Sequence, residues 1–161
     1  MTHWYFQGLT PPWSGQHAGE RLFCCCHRTP TFYTWAGDTF ELLCIEHLPQ
    51  IQDALRIASI DRNYCWSTRN AEGGGAQIDL LLESKSSRTD YVCEMKFTGG
   101  KYAVTQEDEK DMLNKMDAFA ASKMHNKTHS IQLVLVTTMG IAKGEHSSVV
   151  NQTVVMDDLF K

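Results

Sequence analysis

Two stretches decide the fold: GAQIDLLLE (Gly75–Glu83) and YVCEMKF (Tyr91–Phe97). Each is a short apolar run with polar or glycine-rich neighbours, the mark of a β-strand, and Ala76–Glu83 and Asp90–Phe97 are the expected limits. Leu80, Leu81 and Leu82 follow one another without alternation, as in a strand covered on both faces. Strand side chains alternate with period two, so Glu94 and Lys96 project to one face while Cys93, Met95 and Phe97 project to the other. Asp79 stands among apolar residues in the first strand, with Gln77 expected on its own face. Pairing across the polar loop Ser84–Thr89 would bring Asp79, Glu94 and Lys96 together at one sheet end. Two carboxylates and an ammonium in apolar strands are costly unless they pair or hold a metal.

Working outward, Phe40, Leu43, Cys44, His47, Leu48, Ile51 and Leu55 recur at three-four spacing and predict an amphipathic helix, with Asp38 or Thr39 as its cap. Pro49 should kink or restart it. Asn63–Ser67 reads as a strand and Ala71–Gly75 as a turn. Downstream, Thr105 with Asp108 has the form of a capping pair. Behind it, Met112, Leu113, Met116, Phe119 and Ala120 form the apolar face of a helix ending near Met124. Ile131–Thr137 is a central strand and Thr153–Met156 a final one. The order is helix, three strands, helix, strand, which makes residues 35–161 a single α/β domain. Residues 1–34 are irregular, interrupted by Gly8, Pro11, Pro12, Gly15, Gly19 and Pro30. Tyr5–Gly8 within them resembles the tail of an engineered protease-cleavage tag and carries no functional argument.

The length of 161 residues fits one domain, and a hydrophobic fraction of 42% is enough for a core. A net charge of −4 rules out a strongly basic nucleic-acid coat, though not a local basic groove. No apolar run is long enough to span a bilayer, and no secretory signal opens the chain, so no membrane role is expected. Of six cysteines, Cys24, Cys25 and Cys26 are consecutive; with Cys44, Cys65 and Cys93 they read as reduced, apolar residues of a cytoplasmic protein. Cys24 and His27 lack the second pair that structural zinc requires.

The chemistry of the Asp79, Glu94 and Lys96 trio allows two readings. One is a structural ion pair at a sheet edge within a small α/β interaction domain. The other is a site for Mg²⁺ or Mn²⁺, favoured over zinc by hard oxygen donors without a histidine pair. Such an ion activates water and neutralises a phosphodiester in flight, with a lysine beside it.

Asp79, fourteen intervening residues and then Glu94-Met95-Lys96 resembles the core signature of the PD-(D/E)XK nuclease superfamily. The strings WAGDTFELLCIEHLPQIQDALRI (Trp35–Ile57), GAQIDLLLE, VCEMKF and MDDLF (Met156–Phe160) are similar to the carboxy-terminal nuclease-like domain of certain prokaryotic AAA-type ATPases. The resemblance implies a restriction-endonuclease-like core, a central mixed β-sheet flanked by helices. It implies Asp79 and Glu94 as ligands of Mg²⁺ or Mn²⁺, with the main-chain carbonyl of Met95 completing the set. It implies Lys96 as the group that orients the attacking water and stabilises the charged phosphorane. Glu41, in the Thr39-Phe40-Glu41 step, would hold a water or a second ion, and Gln77 would position a phosphate. The implied partners are nucleic acid, DNA first, and an AAA-type ATPase module; a homodimer is among the assemblies this reading admits.

The chain departs from the superfamily pattern in having Ile78 where a proline usually precedes the first acid. Gly73-Gly74-Gly75 runs into Ala76-Gln77 and a strand, so it is not a nucleotide loop, and ATP hydrolysis is not expected. His125 and His129 have i, i+4 spacing but are expected to be solvated. Lys101, Lys110, Lys115, Lys123 and Lys127 either line a DNA groove or form an ordinary charged face beside Glu107, Asp108, Glu109 and Asp111. No serine or cysteine nucleophile has the base it would need. The leading expectation is a metal-dependent nuclease acting on DNA. Next comes the same fold as a catalytically weak binding module.

Overall fold

Pro30 opens a helix rather than breaking one. A computed structural model describes residues 30–69 and 75–161. The chain divides into two units, Met1–Trp35 and Ala36–Lys161, and the second carries the sheet and the candidate site. Helix α1 (Pro30–Glu46) starts on a proline because the missing N–H costs nothing in a first turn and the ring presets φ. Asp38 and Thr39 therefore lie inside the helix and do not cap it. The expected restart at Pro49 is present: α2 (Leu48–Ala54) begins one residue earlier with the proline in its first turn. The spacing of Cys24 and His27 and the Tyr5–Gly8 string lie outside the described residues, as does most of the turn expected at Ala71–Gly75.

The remaining elements are β1 (Arg62–Arg69), β2 (Gly75–Ser84), β3 (Thr89–Lys96), α3 (Gln106–Ala121), β4 (Ser130–Thr137) and β5 (Gln152–Val155). The strings Glu145–Val149 and Met156–Phe160 (MDDLF) form 3₁₀ turns. The strands make one mixed sheet in the order β1-β2-β3-β4-β5. β1, β2 and β3 are antiparallel neighbours; β4 runs parallel to β3, and β5 parallel to β4. The fold is α/β, with β3 at the centre of the sheet.

Each face of the sheet has its own core. On one, Phe40 and Cys44 of α1 and Ile51 of α2 pack on Leu80, Leu82, Cys93, Met95, Val134 and Val136. On the other, Met112 and Phe119 of α3 pack on Ile78, Leu81, Val92, Leu133 and Leu135. The three consecutive leucines thus serve both cores, as the lack of alternation predicts. Trp66 of β1 meets Phe119 edge to face, with ring centroids 5.5 Å apart. Burying a side chain of this size contributes roughly 1.5–3 kcal/mol. Helix α3 is nucleated by the expected capping box: Thr105 Oγ1 accepts from the Asp108 N–H at 3.2 Å, and Asp108 Oδ2 accepts from the Thr105 N–H at 2.9 Å.

Strand alternation fails at one point. Tyr64 pairs with Leu81 but Trp66 pairs with Ile78, so β2 carries one extra residue against β1. Ile78 and Leu81, three apart, consequently share a face. Such a bulge bends the strand and re-aims the side chains around it. Asp79 is in it.

Gly75, the first residue of β2, has no room for a side chain. A Cβ there would stand 2.6 Å from the Thr68 carbonyl oxygen of β1. We expect Gly75→Ala to cost about 1–3 kcal/mol, the scale of overpacking, read as a lower denaturation midpoint. An unchanged midpoint would mean that the β1–β2 end opens freely.

Cys44 and Cys93 are buried and unpaired, as expected, and burial pushes the Cys44 thiol up to about 12. Cys65, read with the others as an apolar residue, is exposed, because it sits opposite the bulge on an edge strand. Among the described residues no helix is long and apolar enough to cross a membrane.

Candidate active site

Glu94 is the centre of the site. It lies on β3, where neighbouring strands cover both edges and α3 covers its face, so its side chain is only 5% exposed. A carboxylate in that position needs positive partners, and it has two. Lys96 Nζ stands 2.9 Å from Oε1 and Lys115 Nζ stands 2.8 Å from Oε2. Lys96 shares the face by strand parity. Lys115 reaches down from α3 and also stands 3.4 Å from Asp111, one turn earlier.

Asp79 joins from the adjacent strand. It lies one residue beyond Leu80–Cys93, the end pair of the β2–β3 ladder, and feels the charge of Glu94. Its carboxylate accepts a hydrogen bond from the Met95 N–H. Burial, and then the charge of Glu94, push Asp79 above the usual carboxylate range, although Lys115, Lys96 and the Met95 N–H pull the other way. Glu41, on the helix covering the opposite face, feels the same field. Its carboxyl is raised first by burial, then by Asp79, Asp38 and Glu94, with Lys96 opposing. Asp79, Glu94, Lys96 and Glu41 therefore form one electrostatic group.

Gln77 does not join it. The bulge breaks the parity on which its placement rested: Ala76 and Ile78 point into the α3-side core, and Gln77 between them is exposed on the other face. Phe97, expected as the last residue of its strand, lies one position beyond β3.

Lys115, which the sequence leaves between a DNA groove and an ordinary charged face, is instead a partner of buried Glu94. The signal was present, because Lys115 follows Met112 by three and precedes Phe119 by four, which puts it on the inward side of α3. Around the site, Tyr102 bonds Asp108; burial first, then Asp108 and Glu94, push its phenol well above the usual range. Burial would raise Asp108 as well. The Thr105 main-chain and hydroxyl bonds, the Tyr102 bond and the charge of Lys96 override this and hold it low.

A second polar cluster lies at the other end of β3. Asp90, 2% exposed, has a histidine on each oxygen: His129 Nδ1 at 2.9 Å from Oδ1 and His125 Nδ1 at 2.8 Å from Oδ2. Both imidazoles are buried, which corrects the expectation that they are solvated. The turn after α3 folds back over β3 and carries them inward.

Among the described residues no three His, Cys, Asp or Glu side chains stand together as ligands of one ion. The Asp79–Glu94 pair nevertheless fits a hard divalent cation in kind. Mg²⁺ is commonly held by one or two carboxylates, with waters and substrate phosphates supplying the rest. Two carboxylates on neighbouring strands, Asp79 raised by the charge of Glu94 and Glu94 already bonded to ammonium groups, are the donor chemistry such an ion requires. The chain has no match among protein families, curated proteins or solved structures, and its site stands on its own chemistry.

Proposed function

We propose that this chain is a divalent-metal-dependent nuclease with a restriction-endonuclease-like core, hydrolysing phosphodiester bonds of DNA. The observation that carries the reading is the buried Glu94, bonded to Lys96 two residues along its strand and coupled by charge to Asp79 on the next. The element order also supports it: a helix, three antiparallel strands, a helix, and a strand parallel to the third. In this reading Asp79, Glu94 and the Met95 carbonyl hold Mg²⁺ or Mn²⁺, whose chemistry is to lower the pKa of water and to neutralise phosphate charge. Lys96, its side chain 36% exposed, stands where it can hold the nucleophilic water by hydrogen bonding. The depression along α3 formed by Glu107, Asp108, Lys110, Asp111 and Asn114 is net acidic. A phosphate approaching this side therefore depends on cations for charge balance.

The test is cleavage of single- and double-stranded DNA and RNA with Mg²⁺, Mn²⁺ or chelator. Metal-dependent cutting that chelator abolishes is the expected result. Binding without cutting would leave the nuclease fold working as a nucleic-acid or partner-binding module beside a separate ATPase.

One observation favours a different reading. Both oxygens of Glu94 are already satisfied by ammonium groups, as in a closed structural ion-pair cluster. That reading expects no calorimetric heat on adding Mn²⁺, whereas the nuclease reading expects saturable binding. Within the nuclease reading, Glu41→Gln should weaken Mn²⁺ binding while leaving the fold intact. It removes one of the charges that draw a cation without touching the core. Unchanged affinity would assign Glu41 to the helix surface.

A further inference from the structure

Glu94 cannot be left bare. A buried carboxylate without a counter-charge is strongly destabilising, so the site needs positive charge before any divalent ion arrives. Two lysines supply it, and they are not equivalent. The Lys96 side chain is 36% exposed and lies on the same strand as Glu94. The Lys115 side chain is 14% exposed, is held by a helix anchored through Met112 and Phe119, and bonds the second oxygen of Glu94 at 2.8 Å. Lys115 also pulls on Asp79 more strongly than Lys96 does. One ammonium is therefore bonded to Glu94 and acts on Asp79 through its charge.

We propose that Lys115 is a built-in counter-cation: it holds Glu94 and offsets the charge of Asp79 while the site lacks a divalent ion, and an entering ion must displace it. This rests on the metal-dependent reading of the site and adds a regulatory device to it. Lys115 keeps the sheet centre intact without metal and sets the threshold concentration at which metal enters. Displacement has somewhere to send the ammonium, because Asp111 lies 3.4 Å from it on the solvent side of the same helix, 60% exposed. Lys96 keeps its place beside Oε1 throughout and is left for phosphate or water. The division of labour follows from position. The helix lysine has a second carboxylate, Asp111, to move to on its own helix, while Lys96 stays bonded to Glu94.

The device predicts two effects of opposite sign. Lys115→Met keeps the apolar stem and removes the charge. Without metal it should melt at a lower temperature than the wild type, because one oxygen of Glu94 loses its partner. It should also bind Mn²⁺ more tightly, by at least about tenfold, the scale of one charge contact that no longer competes. Lys115→Arg guards against a Met variant that fails to fold. Its fork grips a carboxylate more firmly, so it should preserve the metal-free melting temperature and weaken Mn²⁺ binding.

The experiment is isothermal titration with Mn²⁺ alone, together with thermal melts with and without it, on the full chain and both variants. Tighter binding by the Met variant and weaker binding by the Arg variant would establish the counter-cation. Binding by the Met variant where the wild type shows none would establish it in its strongest form. Equal or weaker binding by the Met variant, with the wild type binding normally, would overturn the proposal and leave the metal-dependent reading standing. No binding by wild type, Met or Arg variants would overturn both.

Discussion

Replacing Lys96 by alanine is expected to lower metal-dependent cleavage by at least ~10²-fold, the scale of losing one positioned electrostatic group, with a far smaller loss of DNA affinity. Lys96 is the exposed member of the pair on Glu94, so its removal leaves Lys115 on the other oxygen and the fold supported. Asp79→Asn should abolish cleavage outright by removing an anionic ligand. It should also stabilise the metal-free protein at neutral pH. Asp79 is raised by burial and by Glu94, so its ionisation works against the fold. The linkage sign follows: an acid with a raised folded pKa favours the fold below its ordinary value, and that contribution disappears as pH rises through the raised one. Asn, uncharged at every pH, should thus melt above wild type near neutrality and lose that advantage below about pH 4. An inactive variant that is also less stable at neutral pH would show Asp79 to be structural.

The second large effect is far from the metal. Asp90→Ala should cost about 3–5 kcal/mol, the range for breaking a buried charged cluster by removing one member, measured by chemical denaturation. The change strands two buried imidazoles at once, each having used Nδ1 on this carboxylate. Asp90→Asn should cost less, because an amide can accept from one ring and donate to the other if that ring changes tautomer. Asp90 lies four residues from Glu94 along β3, about 13 Å at the usual strand rise, so Mn²⁺ affinity of the folded fraction should not change. A loss of affinity in parallel with stability would join the two ends of β3 in one functional unit.

Local patterns carried most of the fold. The run of leucines at 80–82, the period of Met112, Met116 and Phe119, the Thr105–Asp108 cap and the restart at Pro49 are short-range physics. Each reads directly, and the structure differs from them by a residue or a few at the ends. Pro30 misled because a proline that breaks a helix interior is welcome in a first turn. The helix therefore starts earlier than the apolar pattern does. His125 and His129 misled for a different reason. Their partner, Asp90, is more than thirty residues away, and nothing local records that a turn will fold over a strand to meet it.

By itself, the sequence determined which residues share an element and, through parity, that Glu94 and Lys96 share a face, because those relations depend only on backbone period. It also set the cost of burying acids in apolar strands, which made the site worth seeking. Only tertiary structure decided the rest. The bulge between Ile78 and Leu81 turned Gln77 away from Asp79, since the extra residue exists only relative to a partner strand. The packing of α3 on the sheet brought Lys115 to Glu94, a bond between residues 21 positions apart. Charge pairing inside a core is settled by which surfaces meet, and the period of one element cannot specify the register of another.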